Sequence, residues 1–310
     1  MKNPLTKIKV VGIGGSGGNA IARMKKCKIA GVELVAINTD AQDLAKIKAD
    51  VKLRIGRKAT QGLGAGTNPQ IGRKSALENR QDIIEVLKNS DMVVITYGAG
   101  GGTGTGAGPV VAEAAKELGI LTLAIVTKPF SFEGQARARA AENGVKKLKE
   151  KTDTLITISN DKLLSALDQK TSLINAFWAC DDILRQAVQG ISDLIMLPGI
   201  VNVDFADVKA IMKNAGSALF GVGRAHGEGR AEKAALAALN SPLLDLSIKG
   251  AKGILFNVSG GKDLSLSEID QIAKTITQEV NPAARIIFGA IQDEKLKTGE
   301  IKVTVIATGF

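Results

Sequence analysis

Aromatic side chains are scarce in this chain of 310 residues: eight Phe, one Trp and one Tyr. So few flat rings argue against a platform that stacks single-stranded bases in a basic groove. Histidine is scarcer still. The single His226 leaves no multi-His metal site and counts against a Ser-His-Asp triad. The two cysteines, Cys27 and Cys180, lie too far apart for a zinc-ligand spacing and give no sign of a disulfide framework. Long apolar runs are missing as well. Stretches such as 120–126 fall far short of the ~18 residues of a membrane span, and residues 1–9 hold no apolar signal-peptide core. The expectation is a cytoplasmic protein with no direct membrane insertion and no metal held by its own side chains.

Acidic residues are outnumbered. There are 41 Lys and Arg against 31 Asp and Glu, a net charge of +10. Such a balance raises nucleic acid as a partner. The basic clusters are Arg23, Lys25, Lys26 and Lys28, then Lys146, Lys147, Lys149 and Lys151. Both fall on helical stretches and read as solvated faces, so no nucleic acid is expected. What the chain has in excess is glycine, 35 of 310 residues against the ~7% of an average protein.

The first half alternates strand and helix. Strands are expected at 7–12, 32–37, 51–55, 91–97, 120–127 and 154–158, and helices at 17–28, 69–88, 109–118 and 132–151. The strands are continuous apolar runs, as in a parallel sheet covered on both faces. The fold class is therefore α/β, a doubly wound and mostly parallel sheet. An uninterrupted helical stretch follows over 172–197, stopped by Pro198-Gly199. Helices at 204–213, 229–239 and 266–280 then mix with strands at 253–258, 284–291 and 301–308, a smaller α+β domain. The expected division is a nucleotide domain at 1–171, a central connecting helix at 172–199 and an α+β domain at 200–310.

Three segments concentrate the glycine of the first domain. The first, Gly12 to Asn19, joins a strand to a helix and matches G-x-G-x-x-G, with Asp40 ending the next strand. By letter this is a dinucleotide fingerprint. The second, Gly98 to Gly108, also follows a strand, and holds more glycines than a turn needs. Backbone N–H groups at a helix N-terminus, helped by Thr hydroxyls, can cradle an anion there. The third, Gly62 to Pro69, leads into a helix and could carry a terminal phosphate. No G-x-x-x-x-G-K-[ST] occurs, so this is not a P-loop protein.

The run GGGTGTGAGP at Gly100 to Pro109 resembles the signature of the tubulin and FtsZ superfamily of GTPases. The resemblance extends to NTDAQ at Asn38 to Gln42, GLGAG at Gly62 to Gly66, TKPF at Thr127 to Phe130, FEG at Phe132 to Gly134 with Arg137, NDKL at Asn160 to Leu163, and NVDFADV at Asn202 to Val208. It covers essentially the whole chain and is nearer the FtsZ branch than tubulin. It implies GTP or GDP as ligand, with Mg2+ on the nucleotide. By resemblance Gly14, Gly15, Ser16, Gly17, Gly18 and Asn19 cradle phosphate with Gly101, Gly102, Thr103, Gly104, Thr105 and Gly106. Gly64, Ala65 and Gly66 sense the γ-phosphate, Glu133 and Arg137 hold ribose and phosphates, and Asn160 belongs to the same site. Phe177 and Asp181 carry the guanine. Their i, i+4 spacing puts them on one helix face, and a carboxylate accepts from guanine N1–H and N2–H2. On spacing alone Phe177 reads as a core residue.

Asn202, Asp204 and Asp207 are the expected catalytic residues. Asp204 also fits an N-cap with Asp207 in the first turn; the functional alternative is polarisation of an attacking water. From Asp181 to Pro198 is roughly 25 Å of helix, too far for these acids to serve the same nucleotide easily. They could serve the next subunit of a head-to-tail filament. The resemblance implies such a self-assembling GTPase, acting in bacterial cytokinesis at the division site under the membrane, with membrane-tethering and division proteins as partners. Two departures stand out. Relatives are usually acidic, and they usually end in a linker and a tether-binding peptide, whereas this sequence stops at Phe310. The alternative reading is an NAD-dependent Rossmann-type dehydrogenase, resting on Gly12, Gly14, Gly17 and Asp40.

Overall fold

The computed structural model describes every residue except 1–5, 30, 166–167, 169–170, 198, 242–247 and 294–295. Pro198, expected to stop the long helix, and the first five residues of the N-terminus thus lie outside the described residues. The chain divides into two compact units, Met1–Ser192 and Asp193–Phe310.

In the first unit the chain runs β1 (Ile8–Ile13), α1 (Gly14–Cys27), β2 (Val32–Asn38), α2 (Ala41–Lys46), β3 (Val51–Arg54), α3 (Arg57–Thr60), α4 (Pro69–Glu78), α5 (Arg80–Leu87), β4 (Met92–Gly98), α6 (Gly102–Glu117), β5 (Leu121–Lys128), α7 (Gln135–Lys151), β6 (Thr154–Ser159) and α8 (Asn160–Ser165). Helix α9 (Leu173–Met196) follows, and the division between the units falls within it. The six strands are all parallel, in the order β3-β2-β1-β4-β5-β6. Val10, Val11, Val93, Ile95, Leu123 and Ile125 are fully buried, which explains why these strands read as unbroken apolar runs. From β1 the chain moves to β2 on one side, while β4 and β5 extend the other. The carboxyl ends of β1 and β4 therefore flank the switch point where doubly wound sheets bind ligands.

Two helices begin earlier than expected. Helix α1 starts at Gly14 rather than Gly17, and α6 at Gly102 rather than Pro109. The glycine segments are thus the first turns of the helices themselves. Bare α-carbons let those turns lie on the neighbouring backbone. A Cβ on Gly17 would come within 3.0 Å of the Thr96 carbonyl, and one on Gly12 within 3.0 Å of Gly17 and Ile21. The helix expected over 69–88 is two helices, broken at Asn79. Its Oδ1 accepts the Gly56 N–H at 2.8 Å while its Nδ2 donates to Asp82 at 2.8 Å. Helices α2 and α3, of six and four residues, are too short to leave a period in the sequence.

The second unit holds α10 (Phe205–Met212), β7 (Gly216–His226), α11 (Arg230–Leu239), β8 (Gly253–Gly260), α12 (Leu266–Thr277), β9 (Arg285–Gln292) and β10 (Glu300–Thr308). Its strand order is β7-β10-β8-β9, antiparallel except for the β8–β9 pair. Strand β7 was not expected, because Gly216, Gly221 and Gly223 interrupt its apolar pattern. Gly223 has a packing cause: a Cβ there would collide with the backbone of α11 at Ala234 and Ala238. The core of this unit joins Phe256, Val303 and Val305 to Ala234 and Ala238 of α11 and Ile272 and Ile276 of α12. No helix among the described residues is long and apolar enough to cross a membrane.

Candidate functional site

Helices α1 and α6 both open at the switch point, and neither has a side-chain cap or an acidic residue in its first turn. The first N–H groups of a helix have no intrahelical acceptor. Together with the helix dipole, two such ends side by side favour an anion. The start of α1 is tied to the end of β4, from which the chain turns into α6: the Gly98 N–H donates to Ser16 Oγ at 2.6 Å. Gly15, Ser16 and Asn19 are exposed. The third segment closes over α6, where a Cβ on Gly102 would meet the carbonyls of Ala65 and Gly66 within 3.0 Å. Ala65 is buried, Gly64 half-buried, and Gly66 exposed with φ +57° and open space around it.

The glycines thus sort into two groups. The free N–H groups of α6 belong to Gly101, Gly102, Thr103 and Gly104, and those of α1 to Gly14, Gly15 and Ser16. Gly17, Gly18, Thr105 and Gly106, also expected in the cradle, have N–H groups inside the helical ladder. Gly17 lies on β4, Gly18 on Ile47, and Gly106 on the backbone of α4 at Pro69 and Arg73. These positions are bare for packing. The hydroxyls are held in place by bonds within the unit: Thr103 is buried and shares a 2.7 Å hydrogen bond with Thr39, and Thr105 Oγ1 accepts the Gly100 N–H at 2.8 Å, which leaves its own O–H to donate.

From the paired helix ends, contacts lead step by step to a cleft. Gly100, with φ +95°, lies so close to Arg137 that a Cβ would strike its backbone. Arg137 pairs with Glu133 at 3.0 Å. Glu133 Oε1 accepts the Phe130 N–H at 2.8 Å. Phe130 meets Phe177 of α9 edge-on, with ring centroids 5.4 Å apart. Asn160 opens α8, and its buried Oδ1 has no hydrogen-bond partner among the described residues. Beyond Phe177 lies a cleft of about 610 Å³ between α1 and α9, lined by Asn19, Arg23, Phe177, Trp178 and Asp181 among others.

Two acids on α9 are shifted in opposite directions. Burial pushes the Asp181 carboxyl up to about 6, against the pull of Arg23, whose Nε donates to it at 3.2 Å. Asp182 is also partly buried, but hydrogen bonds from Arg185 at 2.6 Å and Gln186 at 2.7 Å outweigh that and hold it below the usual carboxylate range. Arg23, read as part of a solvated basic face, is instead a wall of the cleft. Its guanidinium also sits 5.1 Å from the ring centre of Trp178. The signal was present in its spacing, since Asn19 and Arg23 are i and i+4 on one helix face.

Asp40, which the dehydrogenase reading needs on a ribose, caps α2. Its Oδ1 accepts the N–H groups of Gln42 and Asp43, both at 2.9 Å. In the second unit Asp204 is the N-cap of α10, accepting the Ala206 N–H at 3.1 Å, with Asp207 in the first turn. Asn202 Oδ1 accepts the Gly199 N–H at 2.7 Å. Asn202 and Asp204 are exposed, and Asp207 is partly so. No group of three or more His, Cys, Asp or Glu among the described residues could hold a metal ion.

A family model described as the GTPase domain of the tubulin/FtsZ family matches residues 7–168, and one described as the C-terminal domain of the FtsZ family matches 216–310. Among solved structures, an empty FtsZ dimer from M. jannaschii is 49% identical with a TM-score of 0.94, over 98% of this chain and 88% of that one. CetZ1 from Haloferax volcanii, a GDP-bound monomer, is 19% identical with a TM-score of 0.85, over 98% of this chain and 94% of its own. CetZ2 from the same organism, a protofilament bound to GTPγS, is 19% identical with a TM-score of 0.82, over 97% and 92%. At that identity the latter two show the fold alone. The switch-point crevice, the paired glycine-built helix ends and these matches agree: the chain belongs to the tubulin/FtsZ family of GTPases.

Proposed function

We propose that this chain binds GTP in the crevice of its first unit and hydrolyses it at a site completed by a second copy, the copies joining head to tail into filaments. One observation carries the shared site. The carboxylates nearest the crevice are engaged within the first unit: Asp40 caps α2, Asp43 accepts from Asn38 at 2.8 Å, and Glu133 pairs with Arg137. The second unit places Asp204 and Asp207 together at the start of α10, Asp204 exposed and the Asp207 side chain 47% exposed, held by the Ala206 N–H at 3.1 Å and by Arg285 at 3.3 Å. A contact in which one copy offers its crevice and the next its acids is heterologous, and need not close. That the 49%-identical relative is an FtsZ dimer supports self-association. It is archaeal, so the expected part in bacterial division gets no support from it. The proposal is a filament-forming GTPase of cytoskeletal type.

In this reading the free N–H groups of α1 and α6 bind the phosphates, and the loop at Gly64 to Gly66 meets the γ-phosphate. Glu133, Arg137 and Asn160 hold the ribose side. Phe177 stacks on the guanine while Asp181 accepts from N1–H and N2–H2. Mg2+ is bound mostly by substrate phosphates and waters, so it needs no acidic cluster from the chain. Asp204 and Asp207 of the neighbour orient the attacking water, with Asn202 beside them.

Replacing the acids tests the shared site. Asp204→Ala and Asp207→Ala are expected to leave the affinity of the isolated chain for a fluorescent GTP analogue within about twofold, while phosphate release falls at least ~100-fold. Lost GTP affinity in either variant would put the acids in the same subunit's site.

The base site carries its own pH signature. Guanine recognition needs the ionised Asp181, whose carboxyl titrates at about 6 in the free chain. GTP affinity is therefore expected to be full above pH 7 and to fall through pH 6, by about tenfold per pH unit well below it. Asp181→Ala should weaken binding at pH 7.5 by roughly 1.5–3 kcal/mol, and flatten the profile. An unchanged pH profile in that variant would remove Asp181 from the base site.

A further inference from the structure

Beside Asp207 stands a guanidinium that the reaction above does not use. Arg285 is the first residue of β9, and its Nη2 donates to Asp207 Oδ1 at 3.3 Å. The strand holds its base, through an N–H bond to the Lys252 carbonyl at 2.9 Å. Its head stays in water, the side chain 57% exposed against 47% for Asp207. An Arg head has five N–H donors, and the bond to Asp207 uses one. Arg230 of the same unit is the opposite case. Its side chain is 9% exposed, and its head is bonded to Asp263, Glu268 and the Asp263 carbonyl. That arginine is a structural clamp with four of its five donors in use. The Arg285 pair, exposed and held by one long bond, adds little to stability, so its arrangement is not explained by folding.

The chemistry asks for a cation at this place. Two carboxylates brought up to the end of a nucleoside triphosphate meet a phosphoryl group that already carries negative charge. Phosphoryl transfer spreads that charge over the equatorial oxygens, and a guanidinium aimed at them stabilises the transition state. The planar fork of Arg also matches two phosphate oxygens at once.

We infer that Arg285 is a further catalytic residue, supplied in trans together with Asp207 to the terminal phosphate of the GTP held by the adjacent copy. The inference rests on the shared-site reading. In the free chain Asp207 keeps the guanidinium on the face that docks. In the filament its remaining donors bind γ-phosphate oxygens while Asp207 takes the water. The water oxygen bonds to the γ-phosphorus as the bridging P–O bond breaks and its electron pair leaves on GDP. The proton of the water passes to Asp207 and then to solvent.

The test uses the full chain at saturating GTP and Mg2+, above the assembly concentration, with phosphate release expressed per sedimented subunit. Arg285→Ala is expected to lower that rate at least about tenfold, the small end of the range for a guanidinium delivered in trans. Arg285→Lys should keep part of it, having the charge without the fork. GTP binding by the isolated chains and pelleting with a slowly hydrolysed GTP analogue should match the parent, which a misfolded variant would not do. A second arm adds Ser16→Asp chains, crippled in the crevice but intact at Arg285, to Arg285→Ala chains; turnover should recover. Turnover per sedimented subunit within about twofold of the parent in Arg285→Ala would overturn the inference, as would a rise. So would failure of Ser16→Asp to rescue Arg285→Ala while it rescues Asp207→Ala, since Arg285 would then act in its own subunit. Failure of the shared-site reading is separate: there Asp207→Ala itself stays active, or is not rescued.

Discussion

GTPase activity per molecule is expected to climb with protein concentration, from near zero below an assembly threshold to a plateau above it. If the crevice and the acids of one chain never meet, a lone subunit has no complete site, and turnover follows the number of junctions. A one-subunit GTPase would instead give constant activity per molecule. Mixing sharpens the contrast. Ser16→Asp puts a carboxylate at the exposed N-terminal end of α1, where phosphate is to bind, while still offering an acceptor to the Gly98 N–H. It is a cleaner lesion than Thr103→Arg, because Thr103 is buried and bonded to Thr39. Asp207→Ala removes an acid and leaves the crevice alone. Each variant by itself should be nearly inactive. In an equal random mixture about one junction in four joins an intact crevice to intact acids, and turnover should return toward that share of the parent. Poor assembly of the Ser16→Asp chain would lower the yield but not abolish it. Activity flat over a hundredfold range of concentration, with no recovery in any mixture, would reject the filament-completed site.

Gly106→Val is expected to destabilise the first unit strongly, although the Gly106 N–H lies within the helical ladder of α6 rather than at its free end. The backbones of α4 and α6 touch there. A Cβ on Gly106 would fall within 3.0 Å of the Pro69 carbonyl and the Arg73 nitrogen, and one on Gly72 of α4 would strike the Gly102 carbonyl. These obstacles are backbone, so no rotamer change relieves them. The helices would have to part, opening gaps over Ala76 and Ala107 in the core beneath. Overpacking of this kind costs about 3 kcal/mol or more, read as a lower denaturant midpoint for the first unit. Gly66→Asn is the control. Its Cβ meets nothing within 4 Å and its φ of +57° is one that Asn adopts, so stability should hardly move. Parent-like stability in Gly106→Val would mean that the two helices are not locked at this distance.

Much of the first unit was legible from the chain alone. Continuous apolar runs at β1, β4 and β5 mark buried parallel strands, and their alternation with helices leads to a doubly wound sheet. The family was legible too, from motifs spread over both halves. Less was legible where small residues do two jobs. Gly17 and Gly106 look like members of a phosphate cradle by letter, yet the structure presses one onto β4 and the other onto α4. Strand β7 escaped notice because Gly223 breaks its pattern for the sake of α11. Arg23 was read as solvated because its partner Asp181 lies 158 positions away.

The sequence by itself determined the fold class, the positions of the three glycine segments and the family, because apolar periodicity and contiguous motifs are properties of short stretches of chain. Only the tertiary structure decided which glycines present a free N–H and which admit a neighbouring backbone. It also decided that Asp40 caps a helix, that burial raises Asp181 while Arg185 and Gln186 hold Asp182 low, and that Arg285 stands against Asp207. Each of these depends on which distant segment arrives beside a residue, on the water it displaces and on the charge it brings. None of that is written within reach of the residue along the chain.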